Sequence, residues 1–199
     1  MAYIGKIPAA AAITASDLDP AVITGQPALA TSPADTDEFL ISDAGVLKRL
    51  DASFIGGANT PAFHINKTDT NQSVSHNTTT HITFNNEILD TNNAFTSNTF
   101  TVPSGQGGSY FVYANVYVAS ASDYQYLTIR KNGTSTQLLN DTFYASSGAD
   151  RNVLLSGIVS LSATDYIRVY FSQSSGSSVN VESTSDGRVT YFGGFKIIT

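Results

Sequence analysis

FNNEILDTNNAFTSNTFTVPSGQGGSYFVYAN, residues 84–115, is the stretch that decides the fold. Its polar, turn-forming beginning leads through Phe100 and Val102 to a proline and a glycine-rich turn, and an aromatic strand follows. Successive side chains of a strand point to opposite faces. One face of this strand carries Tyr110, Val112, Ala114, Val116 and Val118, and the other carries Phe111, Tyr113, Asn115 and Tyr117. Both faces are largely apolar, so we expect the domain core to cover one and a second copy of the chain to cover the other.

Short strands separated by turn signals occupy most of the chain around this stretch. The predicted strands are 62–66, 81–84, 99–102, 109–120, 124–131, 135–146, 151–162, 165–174, 178–185 and 188–199. Asn132-Gly133 is the strongest hairpin signal among the turns between them, since both residues tolerate positive φ. Many short strands at regular spacing predict an all-β sandwich or jelly roll.

The residues of the opening stretch resemble the signature of the globular domain of complement C1q and its tumour-necrosis-factor relatives. The matching positions, in order, are Phe84, Asp90, Phe95, Phe100, Gly108 and Tyr110. Two gaps depart from the family pattern, the shorter one from Phe95 to Phe100 and the longer one from Phe100 to Gly108. Three later passages also resemble the family, namely 126–134, 156–171 and the closing strand 191–199, where Phe192, Gly194 and Phe195 match an aromatic-x-Gly-Phe ending. The resemblance implies a C1q/TNF-like jelly roll of about ten antiparallel strands over residues 59–199.

The same resemblance implies a homotrimer. In the family, aromatic side chains on these strands line a threefold axis, where a tyrosine can be buried if its hydroxyl is paired. The candidate trimer core consists of Tyr110, Tyr113, Tyr117, Tyr170, Tyr191 and Phe195. Packing of these rings within the core and on the surface of a single chain is the alternative, and so is stacking of surface tyrosines on sugars.

Residues 1–58 form a separate part of the chain. Repeated prolines, at positions 8, 20, 27 and 33, favour an extended arm over a long helix. The arm has too little apolar surface to fold alone, so we expect it either to become ordered against a partner or to be a disordered tail. Residues 37–51 predict a small β-hairpin, because Phe39 and Ile41 alternate before a turn at 42–45.

The N-terminal part carries a second resemblance. Met-Ala-Tyr-Ile-Gly at the start and Asp-Glu-Phe-Leu-Ile-Ser-Asp-Ala-Gly from residue 37 resemble the beginning of bacteriophage tail-fibre and appendage proteins. That resemblance implies that this part holds the protein to the virion, while the C-terminal domain faces outward. The candidate anchor residues are Tyr3, Ile4, Phe39 and Ile41.

Composition excludes several functional classes. The net charge of −6 argues against binding to nucleic acid, which needs a basic surface. No stretch approaches the roughly 20 apolar residues that span a membrane. The chain has no cysteine, which excludes disulfides, thiolate metal sites and cysteine nucleophiles. The N-terminus makes a poor signal peptide, so we expect assembly in the host cytoplasm and localisation to the virion.

The sequence offers no convincing catalytic constellation. His64 and His81 are expected on the outer sides of strands and His76 in a polar turn. The acid pairs that could serve a glycosidase are Glu87 with Asp90 and Asp141 with Asp150, all in segments expected to form turns. Calcium binding stays open, without assigned ligands.

Together these patterns predict a non-enzymatic, homotrimeric virion protein. Its polar loops at 71–79 and 146–151 suit adhesion to a host-surface glycan. A head fibre or capsid decoration protein is the alternative within the virion. A carbohydrate-active enzyme and a cellular adhesion module are the alternatives from other classes.

Overall fold

The structure is a computed structural model that describes residues 36–44, 46–55, 59–133, 135–183 and 190–197, together with Gly25, Pro27, Pro33 and Ala34. The chain divides into two compact units, Met1–Gly56 and Gly57–Thr199. This division lies beside the boundary expected after residue 58. The candidate anchor residues Tyr3 and Ile4 lie outside the described residues.

The first unit contains the predicted hairpin. Strands β1 (Glu38–Asp43) and β2 (Val46–Asp51) pair antiparallel, and Ala44 between them has a φ of 50°. A 3-10 turn, Ala52–Phe54, follows. The register places Phe39 opposite Leu50 and Ile41 opposite Lys48, so the two predicted anchor residues of the hairpin lie on one face.

The second unit is built entirely from antiparallel pairs of strands. Its strands are β3 (Ala62–Asn66), β4 (Gln72–Val74), β5 (Thr80–His81), β6 (Asn86–Asp90), β7 (Phe95–Thr96), β8 (Thr99–Thr101), β9 (Gly108–Lys131), β10 (Thr136–Leu161), β11 (Tyr166–Gln173), β12 (Val179–Val181) and β13 (Tyr191–Lys196). Since the described strands of this unit alternate only with turns and loops, the predicted all-β class is confirmed.

Two long strands, β9 and β10, run through both layers of the unit. The sequence predicts two strands in place of each, at 109–120 and 124–131 and at 135–146 and 151–162. The backbone instead bends between the halves, where Ser120 and Asp123 have positive φ and the β9–β10 register shifts around Ala149, while pairing continues on both sides.

The halves of these strands belong to two sheets. In sheet I, residues 110–115 of β9 pair with β13, β13 pairs with β3, and β3 pairs with β6. In sheet II, residues 125–131 of β9 pair with β11, which also pairs with β5 and β8. The two halves of β10 flank β9 at the other side of each sheet. Strand β12 joins β4 to the end of the first half of β9.

The core lies between the two sheets. Inward side chains of both sheets, including Val112 and Phe192 from sheet I and Leu127 and Phe171 from sheet II, belong to one buried cluster. Phe63 stacks on Phe100 with ring centroids 4.2 Å apart, which ties β3 to β8 across the interior. The outer faces of the two sheets therefore remain as the large surfaces of the unit.

Two local expectations had different outcomes. The Asn132-Gly133 turn is confirmed, since both residues have positive φ and Lys131 pairs with Thr136 across it. The predicted strand 81–84 ends early, because β5 stops at His81. The amides of Thr83 and Phe84 donate to the side chains of Gln72 and Asn98 instead of to a neighbouring strand.

Candidate functional site

Alternation along β9 creates the outer face of sheet I. Val112, Ala114 and Val116 are fully buried in the core, so the residues between them point away from it. Phe111 and Tyr113 are half-buried on this outer side. The sequence therefore separates the two sides of the strand correctly.

The register of the sheet brings further side chains to the same face. Phe195 lies opposite Phe111 on one side of β9 and Ile158 lies opposite it on the other. In the next rows, Gly193 and Ser156 flank Tyr113, and Tyr191 and Leu154 flank Asn115. We call this surface the sheet I face, defined by His64, Leu89, Phe111, Tyr113, Asn115, Leu154, Ile158, Tyr191 and Phe195.

The sheet I face is apolar at its rim as well as aromatic at its centre. Leu154 is 56% exposed and Ile158 is 67% exposed, both on β10. Ile88 and Leu89 of β6 are exposed at the opposite side. A contiguous surface of exposed aliphatic and aromatic side chains is typical of a contact site.

The centre of the face is a cluster of three rings. The Nδ1 atom of His64 lies 3.0 Å from the hydroxyl oxygen of Tyr113, and the ring centroids of His64 and Tyr191 are 5.5 Å apart. Burial lowers the pKa of His64, and the nearby Asn66 side chain opposes that shift. Burial, together with the neighbouring Tyr191, raises the pKa of Tyr113. Both groups are therefore neutral at pH 7.

Gly193 makes room for this cluster. A Cβ atom at Gly193 would lie 2.4 Å from both Cζ and Oη of Tyr113, which is far inside contact distance. The absence of a side chain lets the Tyr113 ring lie over the β13 backbone and reach His64. The Gly193-Gly194 pair thus serves both sides of the sheet, because a Cβ at Gly194 would lie 2.8 Å from the Phe111 carbonyl oxygen.

Two of the predicted trimer-core residues lie away from the sheet I face. The prediction is wrong for Tyr110, and for Tyr170 it stays a prediction. Tyr110 is completely buried inside its own chain, where its hydroxyl donates to the Gln106 carbonyl oxygen at 2.6 Å and burial raises its pKa to about 12. Tyr170 belongs to sheet II and lies between the His81 ring and the guanidinium of Arg130. Neither side chain faces outward from sheet I.

Tyr117 lies at the bent end of the same side of β9. It is almost completely buried by its own chain, and its hydroxyl donates to a carboxylate oxygen of Asp150 at 2.8 Å. The remaining predicted residues, Tyr113, Tyr191 and Phe195, lie together on the sheet I face. Their role in a trimer stays a prediction.

The two predicted anchor residues of the hairpin are at least partly accessible. Phe39 is 40% exposed, and Ile41 beside it on the same face is half-buried. Leu40 on the other face of the hairpin is 73% exposed. A two-stranded hairpin with apolar side chains on both faces is marginal in water without a partner.

One acid of each pair considered for glycosidase chemistry accepts hydrogen bonds from backbone amides of a neighbouring loop or bend. Asp90 accepts hydrogen bonds from the amides of Ala94 and Phe95, at 2.9 and 2.7 Å, which fixes the loop between β6 and β7. Asp150 accepts from the Ser120 amide, at 3.1 Å, and supports the bend of β9. Asp90 and Asp150 therefore already serve structural roles. The expectation that the four acids lie in turns is wrong, because Glu87 and Asp90 belong to β6 and Asp141 and Asp150 belong to β10.

The histidines lie where the sequence places them, although only one is exposed. His76 is in an exposed turn, whereas His64 and His81 are half-buried on the outer sides of sheets I and II. Burial lowers the pKa of His81, a hydrogen bond to the Asn98 carbonyl opposes this, and Arg168 lowers the pKa further. In the described part of the chain, no three histidine, aspartate or glutamate side chains converge on a metal position.

One predicted loop is part of a strand. Residues 146–151 lie inside β10 at its bend, because the pairing with β9 resumes after the register shift. Residues 71–79 comprise strand β4 and an exposed turn, and the exposed turn agrees with the predicted polar loop.

Within the described residues, no helix has the length and hydropathy that crossing a membrane requires.

Solved structures of known proteins share this architecture. The globular domain of the zebrafish complement 1qA protein superposes with a TM-score of 0.50 at 17% sequence identity, and the match covers 70% of this chain and 98% of that domain. Murine APRIL at pH 5.0 superposes with a TM-score of 0.52 at 15% identity, covering 68% of this chain and 98% of that one. No protein-family model and no curated protein sequence matches the chain. The predicted C1q/TNF-like jelly roll is therefore confirmed at the level of the fold.

Proposed function

We propose that this chain is a non-enzymatic structural protein of a bacteriophage virion. It forms a homotrimeric fibre or appendage, its N-terminal arm attaches it to the particle, and its C1q-like domain faces outward and adheres to a glycan of the host surface. Assembly takes place in the host cytoplasm. The apolar sheet I face is the observation that supports the homotrimer, and the homotrimer in turn supports the role as a fibre or appendage.

The sheet I face lies beside an open strand edge. Among the described strands, β10 pairs with β9 only, so its other edge is not covered by another described strand in either sheet. Its exposed Leu154 and Ile158 continue the aromatic surface of β9 and β13 to this edge. A long edge strand with apolar side chains favours association unless another surface covers it.

A second copy of the chain fits this surface for a geometric reason. An edge that packs against a face is a heterologous contact, which closes into a ring when the rotation between copies divides a full turn. A threefold ring would cover the edge and the face of every copy at once. The aromatic and aliphatic composition of the face matches the central residues of permanent interfaces.

The first unit supports the attachment part of the proposal. Its hairpin exposes Phe39 and Leu40 on opposite faces, and Phe54 after it is also exposed. Three such units in one trimer would bind together, so weak contacts of single arms would combine into strong attachment. The sequence resemblance to phage appendages indicates that the partner of these units is the phage particle.

The first test is the native mass of the full chain by light scattering, beside the same measurement on residues 60–199. We expect a trimer for both, since the sheet I face lies in the second unit. A monomeric full chain would overturn the trimer.

Gold-labelled antiserum on particles of the phage that encodes the chain would then locate the protein on the virion. Label on the tail supports a tail appendage, label on the capsid assigns a head fibre or decoration protein, and unlabelled particles overturn the virion role.

A further inference from the structure

The outer face of sheet II has a different chemistry from that of sheet I. Gln125, Leu127 and Ile129 of β9 are fully buried, so the residues that alternate with them point outward. These outward residues run from tyrosine at one end to arginine at the other, in the order Tyr124, Tyr126, Thr128 and Arg130. We call this surface the sheet II face.

One end of the sheet II face is a platform of tyrosine rings. Tyr124 and Tyr126 are stacked, with ring centroids 6.1 Å apart and an angle of 17° between the rings. Tyr144 lies directly opposite Tyr124 on β10 and is 69% exposed, while Tyr124 is 41% exposed. An exposed tyrosine offers an apolar ring surface and a hydroxyl together, which suits a ligand that has both apolar faces and hydroxyl groups. Sugar rings have this character.

The other end of the face carries half-buried Arg168 beside Arg130, which is only 8% exposed. Arg168 of β11 lies directly opposite Arg130 of β9, although like charges in this position repel each other. Arg168 donates from Nε to the Thr99 hydroxyl at 2.8 Å, and its guanidinium lies 4.9 Å from the Tyr166 ring centroid. These contacts hold the Arg168 side chain in place, and none of the ion pairs of the described residues involves it.

The position of this charge is notable in so acidic a chain. The sequence has 10 lysines and arginines against 16 aspartates and glutamates. Two of these few cations occupy adjacent positions in one sheet, next to half-buried His81. A held arginine with remaining donors favours an acceptor that is planar and negative, such as a carboxylate.

We propose that the sheet II face binds an acidic oligosaccharide, with sugar rings on Tyr124 and Tyr144 and a sugar carboxylate at Arg168. Tyr124 and Arg130 are six positions apart in one strand, which corresponds to about 20 Å and accommodates a short oligosaccharide along the strand. Charge complementarity distinguishes this ligand from a neutral glycan. The inference rests on the proposed adhesive function and names its ligand class and its binding face.

The test uses the full chain and an array of bacterial surface oligosaccharides, half of which contain uronic or sialic acids and half of which are neutral. We expect binding to acidic members. Arg168→Gln should weaken that binding by about tenfold or more, as the loss of a charged hydrogen bond does. Tyr144→Ala should also weaken it, and Arg168→Lys should restore part of it by restoring the charge.

Arg151→Gln is the matched control, because Arg151 is exposed on β10 and its guanidinium stacks on Phe143 outside this face. It should bind as the unchanged chain does. Thermal unfolding checks that every variant is folded. Binding only to neutral sugars, no binding at all, or acidic binding that Arg168→Gln leaves unchanged would overturn the inference.

The outcomes also separate this inference from the proposed function. A trimer that is located on virions but binds no acidic sugar would contradict the proposed binding site and leave the proposed role as an appendage intact. A monomer that is absent from particles but binds acidic sugars in a manner dependent on Arg168 would contradict the role as an appendage and leave the proposed binding site intact. If binding needs the trimer and Arg168 together, both stand.

Discussion

The outer faces of sheets I and II are formed by the same two strands, yet they differ in what they expose. On sheet I, β10 presents Leu154 and Ile158 beside the aromatic residues of β9. On sheet II, the other half of β10 presents Thr142 and Tyr144 beside Tyr126 and Tyr124. Most inward residues of both halves belong to the same apolar core. The core therefore determines the alternation, and the outward residues alone determine which face is suited to burial and which to water or a polar ligand.

Ile158→Asp tests this contrast with the largest expected effect. The change places a charge on the sheet I face, where burial by a partner would leave it without a counter-charge, so we expect the trimer to be lost. Light scattering measures the mass, and circular dichroism checks that the strands are retained. Thr142→Asp, on the exposed sheet II half of the same strand, is the control and should remain trimeric. A trimeric Ile158→Asp chain would show that assembly uses another surface.

The two glycines of β13 separate folding from assembly, and Gly194→Ala has the larger effect on folding. Its Cβ would meet the Phe111 carbonyl oxygen at 2.8 Å and Val112 Cγ1 at 3.0 Å, and backbone cannot move aside easily. We expect a loss of about 1–3 kcal/mol in the free energy of unfolding, as overpacking causes. Chemical denaturation measures it.

Gly193→Ala, one residue earlier, should act on the face instead. Its Cβ would displace the end of the Tyr113 side chain, which can move outward, so we expect weaker assembly with a smaller loss of stability. Gly148→Ala is the control, because its nearest neighbour would be the Ser120 carbonyl oxygen at an ordinary 3.8 Å. Equal losses of stability for Gly193→Ala and Gly194→Ala would contradict the division between the two sides.

Much of this contrast was accessible from the sequence. Alternation alone places Phe63 and Ile65 inside and His64 outside, because a strand has only two sides. Alternation could not show which of Tyr110 and Tyr113 points into the core. Both sides of β9 are apolar, and only the tertiary structure shows which side packs against the other sheet. Alternation also could not assign Tyr170 to sheet II, because that depends on β11 pairing with the second half of β9.

Acidification should weaken the sheet I contact through His64. Its pKa lies below the ordinary value of 6.5 because of burial, so the folded state binds fewer protons than the unfolded state. The contribution of neutral His64 to the free energy of unfolding is therefore complete above pH 6.5 and is lost as the pH falls below 6.5. A partner that buried the sheet I face would disfavour the charged imidazolium further. We therefore expect the trimer to dissociate at a higher protein concentration at pH 5 than at pH 7.5, which light scattering across a dilution series measures.

Two variants assign this pH dependence to the correct histidine. His64→Gln should make assembly much less sensitive to pH, because it removes the group that gains the charge. His81→Gln should change the pH dependence of unfolding, since burial lowers that pKa as well, but should leave the pH dependence of assembly as it is. A chain whose assembly stays equally sensitive to pH without His64 would exclude this explanation.

Tyr113→Phe has the smallest expected effect and refines the comparison. The change keeps the ring on the sheet I face and removes only the hydroxyl that lies 3.0 Å from His64 Nδ1. A neutral hydrogen bond contributes about 0.5–1.5 kcal/mol, and this one lies within a single chain, so the free energy of unfolding should fall by this order while assembly weakens by less. Tyr124→Phe on the sheet II face should leave assembly unchanged. If both variants weakened assembly equally, the tyrosines of the two faces would share one role, and the distinction between a face for self-association and a face for a ligand would be wrong.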